Sequence, residues 1–413
     1  MTQMRINSSR LNRSLEELGR FGDTPEGMQR IAFSPADIQG REYTISLMRQ
    51  AGMETRIDSA GNIIGLRPGT VPGLPAIAMG SHTDTVPAGG KYDGALGVLG
   101  AVECIQTLTD NNINLRHPVE AIVFTNEEGT SFHRWLIGSR AMAGLLEPED
   151  ENPVDDLGVD LVTRMADIGG DWPKVSDAVR KPEELAAYFE LHIEQGPTLH
   201  QTGIPIGVVT GITGRAMFEV EIVGTANHAG TTPMTHRHDA LLSASKLTVA
   251  VNKLAAESET CRVSTVGSIE AHPNAVNVVP GSVKIGLEFR DLSMDALAAA
   301  EDEFRRAAAK IGEDDGVQME IYRHRFTDSV PIETDMQQLV EAASKNAGLA
   351  HMPVPSGAGH DAQAIASITK MAMVFVPSTE GISHAPQEYS TPEDCANGTQ
   401  VLLELLLLAD ESL

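Results

Sequence analysis

Pro75-Ala76-Ile77-Ala78-Met79-Gly80-Ser81-His82-Thr83-Asp84 is the stretch that decides how this chain folds. Pro75–Met79 is a short apolar run bounded by small residues, which reads as a buried strand. An imidazole and a carboxylate follow just past its end. Val119–Thr125 and Tyr188–His192 read as strands of the same kind. Between them, Gly97–Asp110 and Ser139–Leu146 read as helices that begin after Gly- or Ser-bearing loops. Strand and helix in alternation predict an α/β sheet with parallel crossovers. The alternation returns near the C-terminus, with helices over Met336–Ala347 and Asp361–Ile368, a strand over Met371–Val376, and a helix from about Pro392.

The intervening segment has a different rhythm. A strand at Ala216–Val223 leads to a helix at Asp239–Glu257. Strands at Val263–Glu270 and Val283–Arg290 follow, then a helix at Met294–Ile311 and a strand at Val317–His324. This β-α-β-β-α-β order predicts a self-contained ferredoxin-like domain. The expected organisation is therefore a catalytic α/β domain over residues 1–212 and 330–413, split by an inserted domain over residues 213–329.

Composition narrows the function. The chain has 57 Asp and Glu against 31 Lys and Arg, a formal charge of −26 in 413 residues. A surface of that sign repels nucleic-acid phosphates and anionic membranes, so neither is expected as a partner. Cys104, Cys261 and Cys395 form no CxxC pair, which excludes a thiolate zinc cluster or a disulfide framework and suits a reducing cytosol. The N-terminal MTQMRINSSRLNRSLEELGRFG is polar and helical in pattern, with no apolar signal segment. Val401–Ala409 is apolar apart from Glu404, far too short for a membrane span, and reads as a C-terminal helix packed on a core. Glu147–Asp156 reads as a solvated acidic loop. The expected location is cytoplasmic.

Four motifs place metal-type ligands just beyond apolar strands. They are Ser81-His82-Thr83-Asp84 with Tyr92-Asp93-Gly94, Thr125-Asn126-Glu127-Glu128-Gly129, Glu190-Leu191-His192-Ile193-Glu194-Gln195-Gly196, and Gly381-Ile382-Ser383-His384-Ala385-Pro386. Ligands of open parallel sheets gather beyond the carboxyl ends of the strands, so the four motifs aim at one place. Taken singly each is weak, since His-X-Asp is common and paired glutamates usually lie on a solvated surface. His133, His200, His236, His238, His324 and His351 are read as structural histidines.

His82, His192, His384, Asp93 and Glu128 supply nitrogen and oxygen donors suited to Zn²⁺, Mn²⁺, Co²⁺ or Ni²⁺. Five ligands exceed the needs of one catalytic ion that keeps an open position, but they suffice for two if one carboxylate bridges. Asp93, in a glycine-flanked loop, is the expected bridge. His82, Asp93 and His192 are assigned to one ion, and Asp93, Glu128 and His384 to the other. Two ions about 3.5–4 Å apart can hold a hydroxide between them. Glu127, beside Glu128, is then expected to act as general base. Asp84 is expected to accept the second N–H of the His82 imidazole.

These residues resemble a known family, the di-metal amidohydrolases that include N-carbamoyl-L-amino-acid hydrolases, β-ureidopropionases and allantoate amidohydrolases, relatives of zinc aminoacylases and exopeptidases. The likeness runs nearly end to end, through "GGKYDGALGV", "FTNEEGTSF", "ELHIEQG", "NHAGTTPM", "SGAGHDA" and "GISHAPQEYST". It implies a di-metal aminopeptidase-like catalytic domain, two divalent ions, and a lid that also forms a homodimer. It further implies that His228 polarises the scissile carbonyl, reaching the partner subunit's site, and that Gln195, Asn277 and Arg290 hold the substrate carboxylate. Gly359 and His360 would line the carbamoyl pocket; the glycines of that segment also read as turn residues ahead of a helix. Arg290 has an alternative in an ion pair with Glu288, two residues away on the same strand face. The activity implied is hydrolysis of the ureido C–N bond of N-carbamoyl-L-amino acids, with allantoate amidohydrolase or β-ureidopropionase activity as the alternative.

Overall fold

The computed structural model describes residues 4–151 and 153–413, with Glu149 described by its backbone alone. The start of the N-terminal reading, Met1–Gln3, and Asn152 of the acidic stretch lie outside the described residues. The chain divides into two compact units, one of residues up to Thr210 together with Ile332–Leu413, the other Gly211–Pro331.

The first unit is built on a mixed sheet. Its central strands, Met371–Val376, Leu185–Ile193, Ala76–His82 and Val119–Phe124, lie side by side in parallel. Every residue of Ala76–His82, Val119–Phe124 and Met371–Val376 is buried. Successive side chains of a strand face opposite ways, so complete burial means that both faces are covered, as the continuous apolar runs require. The margins depart from the expected parallel order. Ile63–Arg67 pairs antiparallel with Val119–Phe124, Glu54–Ile57 pairs antiparallel with Ile63–Arg67, and Ile206–Ile212 pairs antiparallel with Met371–Val376.

Helix Ala95–Asp110 is almost wholly buried, and packs against the sheet and the C-terminal helix Pro392–Ser412. That last helix starts on Thr391, whose side chain accepts the Asp394 N–H, with Pro392 in the first turn where a missing N–H costs nothing. Val401, Leu402, Leu403, Leu405, Leu406 and Ala409 are buried, which bears out a helix packed on the core. Among the described residues no helix is long and apolar enough to cross a membrane. The helix read over Ser139–Leu146 is displaced to Ile137–Met142, because Gly144 at φ 71° turns the chain out of it. The helix read to Ile368 ends at Ile365.

The second unit carries a four-stranded antiparallel sheet in the order Val263–His272, Ser282–Asp291, Gly214–Val223, Gln318–Thr327. With helices Ala240–Ala256 and Met294–Asp315 between strands, this is the ferredoxin-like order. Burial alternates along Gly214–Val223, as expected for a sheet with one face on a core. Phe218, Phe289 and Phe304 meet at the centre of that core, with ring centroids 5.4–5.8 Å apart. Phe218→Ala is expected to lower the stability of this unit by ~3–5 kcal/mol, the cost of emptying an aromatic site in a packed core. Chemical denaturation checks this; an unchanged transition would mean that the three rings are not the core's centre.

Candidate metal centre

The parallel register brings the carboxyl ends of the central strands to one edge of the first unit. His82, the last residue of its strand, stands opposite Phe124, and His192 stands opposite Phe375. Glu127 and Glu128 follow the Val119–Phe124 strand, and His384 follows Met371–Val376 after the turn Thr379–Gly381. Asp93 precedes the helix that starts at Ala95, separated from it by Gly94. Gly94 has φ 61°, and a Cβ there would lie 2.5 Å from the His82 ring, so only glycine lets the Asp93 loop close over the imidazole. Asn126, Gln195 and His384 also have positive φ, of 52°, 57° and 55°. Three non-glycine residues in this strained region, each in a loop that carries site residues, are what a functional site held by its surroundings shows.

Asp93 divides its two oxygens between two groups. Oδ1 lies 3.1 Å from His192 Nε2 and 3.7 Å from His82 Nε2. Oδ2 lies 3.2 Å from His384 Nε2, which is itself 3.6 Å from Glu128 Oε2. Ligands bonded to a tetrahedral ion at about 2.0–2.1 Å stand about 3.3 Å from one another, so both groups have the spacing of a coordination shell. Ligating atoms of His82, Asp93 and His192, and of Asp93, Glu128 and His384, all fall within 4.8 Å of each other. Glu128 Oε1 is buried with no hydrogen-bond partner, as a carboxylate oxygen reserved for a cation would be. The donor set thus fits two divalent ions sharing Asp93. Glu127 Oε2 is 3.6 Å from His82 Nε2, at the margin of both groups.

The electrostatics carry the mark of acids crowded together. Burial, reinforced by the charge of Glu128, holds the Glu127 carboxyl well above the usual range; burial and the charge of Asp93 do the same for Glu128. Burial pushes His82 down to about 4. Burial opposes the proton on His192 as well, but the Asp93 carboxylate outweighs it and raises His192 to about 9. The hydrogen bond to Asp93 raises His384 to about 9. Asp93 stays well below the usual carboxylate range despite burial, because His192 and His384 face it.

Asp84 departs from expectation, and Gln195, His360 and Gly359 have surroundings that the sequence did not specify. Asp84 does not present its carboxylate to the His82 imidazole. Nδ1 meets the backbone carbonyl of Asp84 at 2.9 Å, while the nearer carboxylate oxygen is 3.9 Å away. The carboxylate instead accepts the N–H groups of Glu127 and Glu128, each at 3.3 Å, and so orders the loop that carries both glutamates. Gln195 turns back over the ligands: its amide donates to Asp93 Oδ2 at 2.7 Å and sits 3.3 Å from His384 Nε2. His360 is buried edge-on against His192, ring centroids 4.5 Å apart, with Nε2 2.7 Å from Ser356 Oγ. Gly359 is exposed, and a Cβ there would meet nothing nearer than Gln363 Oε1 at 3.6 Å.

Glu388 was missed from the sequence. Its Oε1 accepts the N–H groups of Tyr92 and Asp93, both at 3.1 Å, and its Oε2 accepts the His384 N–H at 3.3 Å and the Ser383 hydroxyl at 2.9 Å. One buried carboxylate thereby ties together two ligand loops almost 300 positions apart in sequence. Nothing in Pro386-Gln387-Glu388-Tyr389 marks this role, because it is exerted on backbone amides.

In the second unit, Asn227 and His228 pair antiparallel with Val278 and Val279, and the Ala229 N–H donates to the Asn277 carbonyl at 2.9 Å, which brings His228 and Asn277 together. His228 is exposed, and its Nδ1 accepts N–H groups from Gly230 at 3.0 Å and Thr231 at 3.3 Å. The neutral ring therefore carries its proton on Nε2, as a donor. Arg290 forms the ion pair that was its alternative reading: Nη2 and Nε lie 2.9 and 3.0 Å from Glu288 Oε1, and Arg215 Nε lies 2.6 Å from Oε2.

A pH dependence follows for the protein freed of divalent ions. His192, His384, Glu127 and Glu128 hold protons in the fold that the unfolded chain releases at lower pH. Stability from such raised groups is lost as pH climbs toward the folded pKa. His82 and Asp93 have the opposite sign, but their contributions are complete near neutrality, above unfolded values of 6.5 and 3.8. The metal-free protein should melt at a lower temperature at pH 9 than at pH 7, and saturating Mn²⁺ should remove the decline, since metal binding expels those protons. A metal-free melting temperature that rises across this interval would contradict the proton assignment.

Comparison with known proteins places these features. The description of peptidase family M20/M25/M40 matches residues 78–408. The chain is 39% identical over 398 residues to N-carbamoyl-L-amino acid amidohydrolase from Geobacillus stearothermophilus, covering 96% of this chain and 97% of that relative. It is 36% identical over 411 residues to ureidoglycolate hydrolase from Arabidopsis thaliana, covering 97% and 86%. A crystal structure of an amidase of the hydantoinase/carbamoylase family from Burkholderia multivorans matches with a TM-score of 0.90 at 35% identity, over 98% of each chain. The chain therefore belongs to peptidase family M20/M25/M40 and, within it, to the amidohydrolases that include the N-carbamoyl-L-amino acid amidohydrolases.

Proposed function

We propose that this protein hydrolyses the ureido C–N bond of N-carbamoyl-L-amino acids, releasing the amino acid, CO₂ and NH₃. The observation that carries the reading is Asp93, whose two oxygens face two separate ligand groups, in a chain similar over its whole length to a named carbamoyl-amino-acid amidohydrolase. Two divalent ions, of Zn²⁺, Mn²⁺, Co²⁺ or Ni²⁺, would be held by His82, Asp93 and His192 and by Asp93, Glu128 and His384; when bound they supply an acidified water and polarise the carbamoyl oxygen. Glu127 takes the proton of the attacking water and hands it to the leaving nitrogen. Its burial supports this role, because a carboxylate with a raised pKa exchanges protons more evenly near neutral pH.

His228 offers its Nε2–H to the oxygen that gains charge in the transition state, a donor fixed by the bonds its Nδ1 accepts. Arg290 and Asn277 hold the substrate carboxylate. A guanidinium suits that task through its bidentate fork, and Arg290 must loosen from Glu288 to perform it. Gln195 helps to hold the substrate carboxylate and orients Asp93 through the hydrogen bond that its amide donates, and Gly359 and His360 border the carbamoyl group. The second unit acts as a lid and dimerisation domain, with His228 completing the site of a partner subunit. The similarity to ureidoglycolate hydrolase favours one alternative, a different small ureido acid such as allantoate on the same centre.

Ammonia release from a panel of N-carbamoyl-L-amino acids, N-carbamoyl-β-alanine, allantoate and ureidoglycolate, each with Mn²⁺, Co²⁺ or Zn²⁺, tests the reading. The carbamoyl-L-amino acids should give the highest kcat/KM, and EDTA should abolish turnover. Highest activity on allantoate or ureidoglycolate would select the alternative, and activity indifferent to chelation would remove the metal centre from the reaction. Glu127→Gln should keep both ions while kcat falls about 10²–10⁴-fold, the contribution typical of a general acid–base. Near-normal turnover with two ions bound would take the base role from Glu127.

A further inference from the structure

Arg30 is the largest fully buried side chain described in the protein, and it takes no part in the chemistry above. Among the described residues no carboxylate lies within ion-pair distance of it, and its Nη2 has no hydrogen-bond partner. The charges of Asp37 and Asp84 act on it without a direct ion pair and do not outweigh its burial. A guanidinium buried on those terms is costly, so a charge placed there calls for a reason beyond filling space. Its bonds supply one. Nε donates to the Thr83 carbonyl at 2.6 Å, the Arg30 N–H donates to Thr85 Oγ1 at 3.1 Å, and the Thr85 N–H donates to the Arg30 carbonyl at 3.0 Å. Arg30 thus grips the residues on both sides of Asp84. At its other end Nη1 donates to the carbonyls of Leu18, at 2.8 Å, and Phe21, at 3.2 Å. Leu18 closes the helix Ser8–Leu18, whose carboxyl end carries negative partial charge and so favours a cation.

The sequence also makes room for the guanidinium stem. Gly40 sits inside the helix Pro35–Gln50, where glycine weakens the helix, and a Cβ at this position would lie 2.9 Å from Arg30 Cδ. Asp84, held between Thr83 and Thr85, has two contacts that reach both ligand groups. Its carbonyl meets His82 Nδ1, and its carboxylate accepts the N–H groups of Glu127 and Glu128. A tilt of the 83–85 segment would therefore move a ligand of one ion, a ligand of the other, and the base together.

We infer that Arg30 is a positioning residue for the metal centre, acting through Thr83 and Thr85 on Asp84 and thereby on His82, Glu127 and Glu128. The inference rests on the metal-centre reading but not on the identity of the substrate, so Mn²⁺ binding by the metal-free protein is its first readout. A wild-type protein that binds no Mn²⁺ would refute the metal centre itself.

Arg30→Met in the full chain should melt cooperatively and bind Mn²⁺ at least tenfold more weakly, within the about 10–100-fold range seen when groups behind metal ligands are removed. With saturating Mn²⁺, kcat on an accepted ureido acid should fall at least tenfold while KM stays within twofold. Arg30→Lys, which keeps one donor for the Thr83 carbonyl, should recover part of the affinity. Native Mn²⁺ affinity and turnover in a folded Arg30→Met protein would overturn the inference, as would a lysine variant no better than methionine, which would assign the effect to packing. Should Arg30→Met not fold, Gly40→Ala carries the test, since its added Cβ would lie 2.9 Å from Arg30 Cδ and push the guanidinium off the Thr83 carbonyl. A threefold or greater loss of Mn²⁺ affinity there supports the role, and unchanged affinity rejects it.

Discussion

A buried carboxylate whose two oxygens each face a different set of ligands is the constraint on which the rest of the structure depends. Asp93 lies among Asp84, Glu127, Glu128 and Glu190, all largely withdrawn from water. So many acids cannot be ionised together in a medium of low dielectric without compensating positive charge. Without a bound cation the conflict favours protons on Glu127, Glu128, His192 and His384, whose pKa values are all pushed up. Divalent cations resolve it in another way, by displacing those protons and restoring the anionic form of the ligands. The raised carboxyls and the pairing of histidines with acids are two views of the same stored demand for positive charge.

Holding that arrangement falls mostly to the backbone. Asp84 and Glu388 each use a carboxylate to collect N–H groups from loops that carry site residues, and neither faces the ligand group as a ligand. Charge-assisted bonds to backbone amides are strong and directional, so a loop with positive φ at Asn126 or His384 can be kept in a strained shape. Gly94 removes the last steric obstacle at the Asp93 turn. The ligands can then adopt their geometry before any ion arrives, which lowers the reorganisation that binding must pay.

This division of labour explains what could be read from residue types. The central strands were legible because full burial on both faces leaves runs such as Ala76–Met79 and Met371–Val376 with no polar interruption. The candidate ligands stood out because imidazoles and carboxylates past several strand ends have few other uses. Helix Pro35–Gln50 escaped notice although Ser34 and Pro35 mark its start, since of its buried residues Asp37, Gly40, Arg41, Thr44 and Met48 only the last is a large apolar one. The edge strand Glu54–Ile57 is short, and half of it is polar and exposed. Glu388 and the true contact of Asp84 were hidden for a deeper reason. A side chain that acts on another segment's backbone leaves no trace in the identity of its partner.

The same logic locates the determinants of substrate choice. On the proposed reading, a centre held by His82, Asp93, Glu128, His192 and His384, with Glu127 beside it, would serve any ureido carbon presented to it, and nothing in these side chains distinguishes a carbamoyl amino acid from a ureidoglycolate. Relatives named for both activities match this chain at 39% and 36% identity over most of its length. Discrimination must then come from groups that bind the remainder of the molecule, where a missing or additional polar contact changes transition-state binding most. Asn277, Arg290 and its partners Glu288 and Arg215 belong to the second unit and make no contribution to the ligand groups. On the proposed assignment of Asn277 and Arg290 to the substrate carboxylate, the Arg290–Glu288 pair is the place where a change of substrate could be made without altering any of the five candidate ligands.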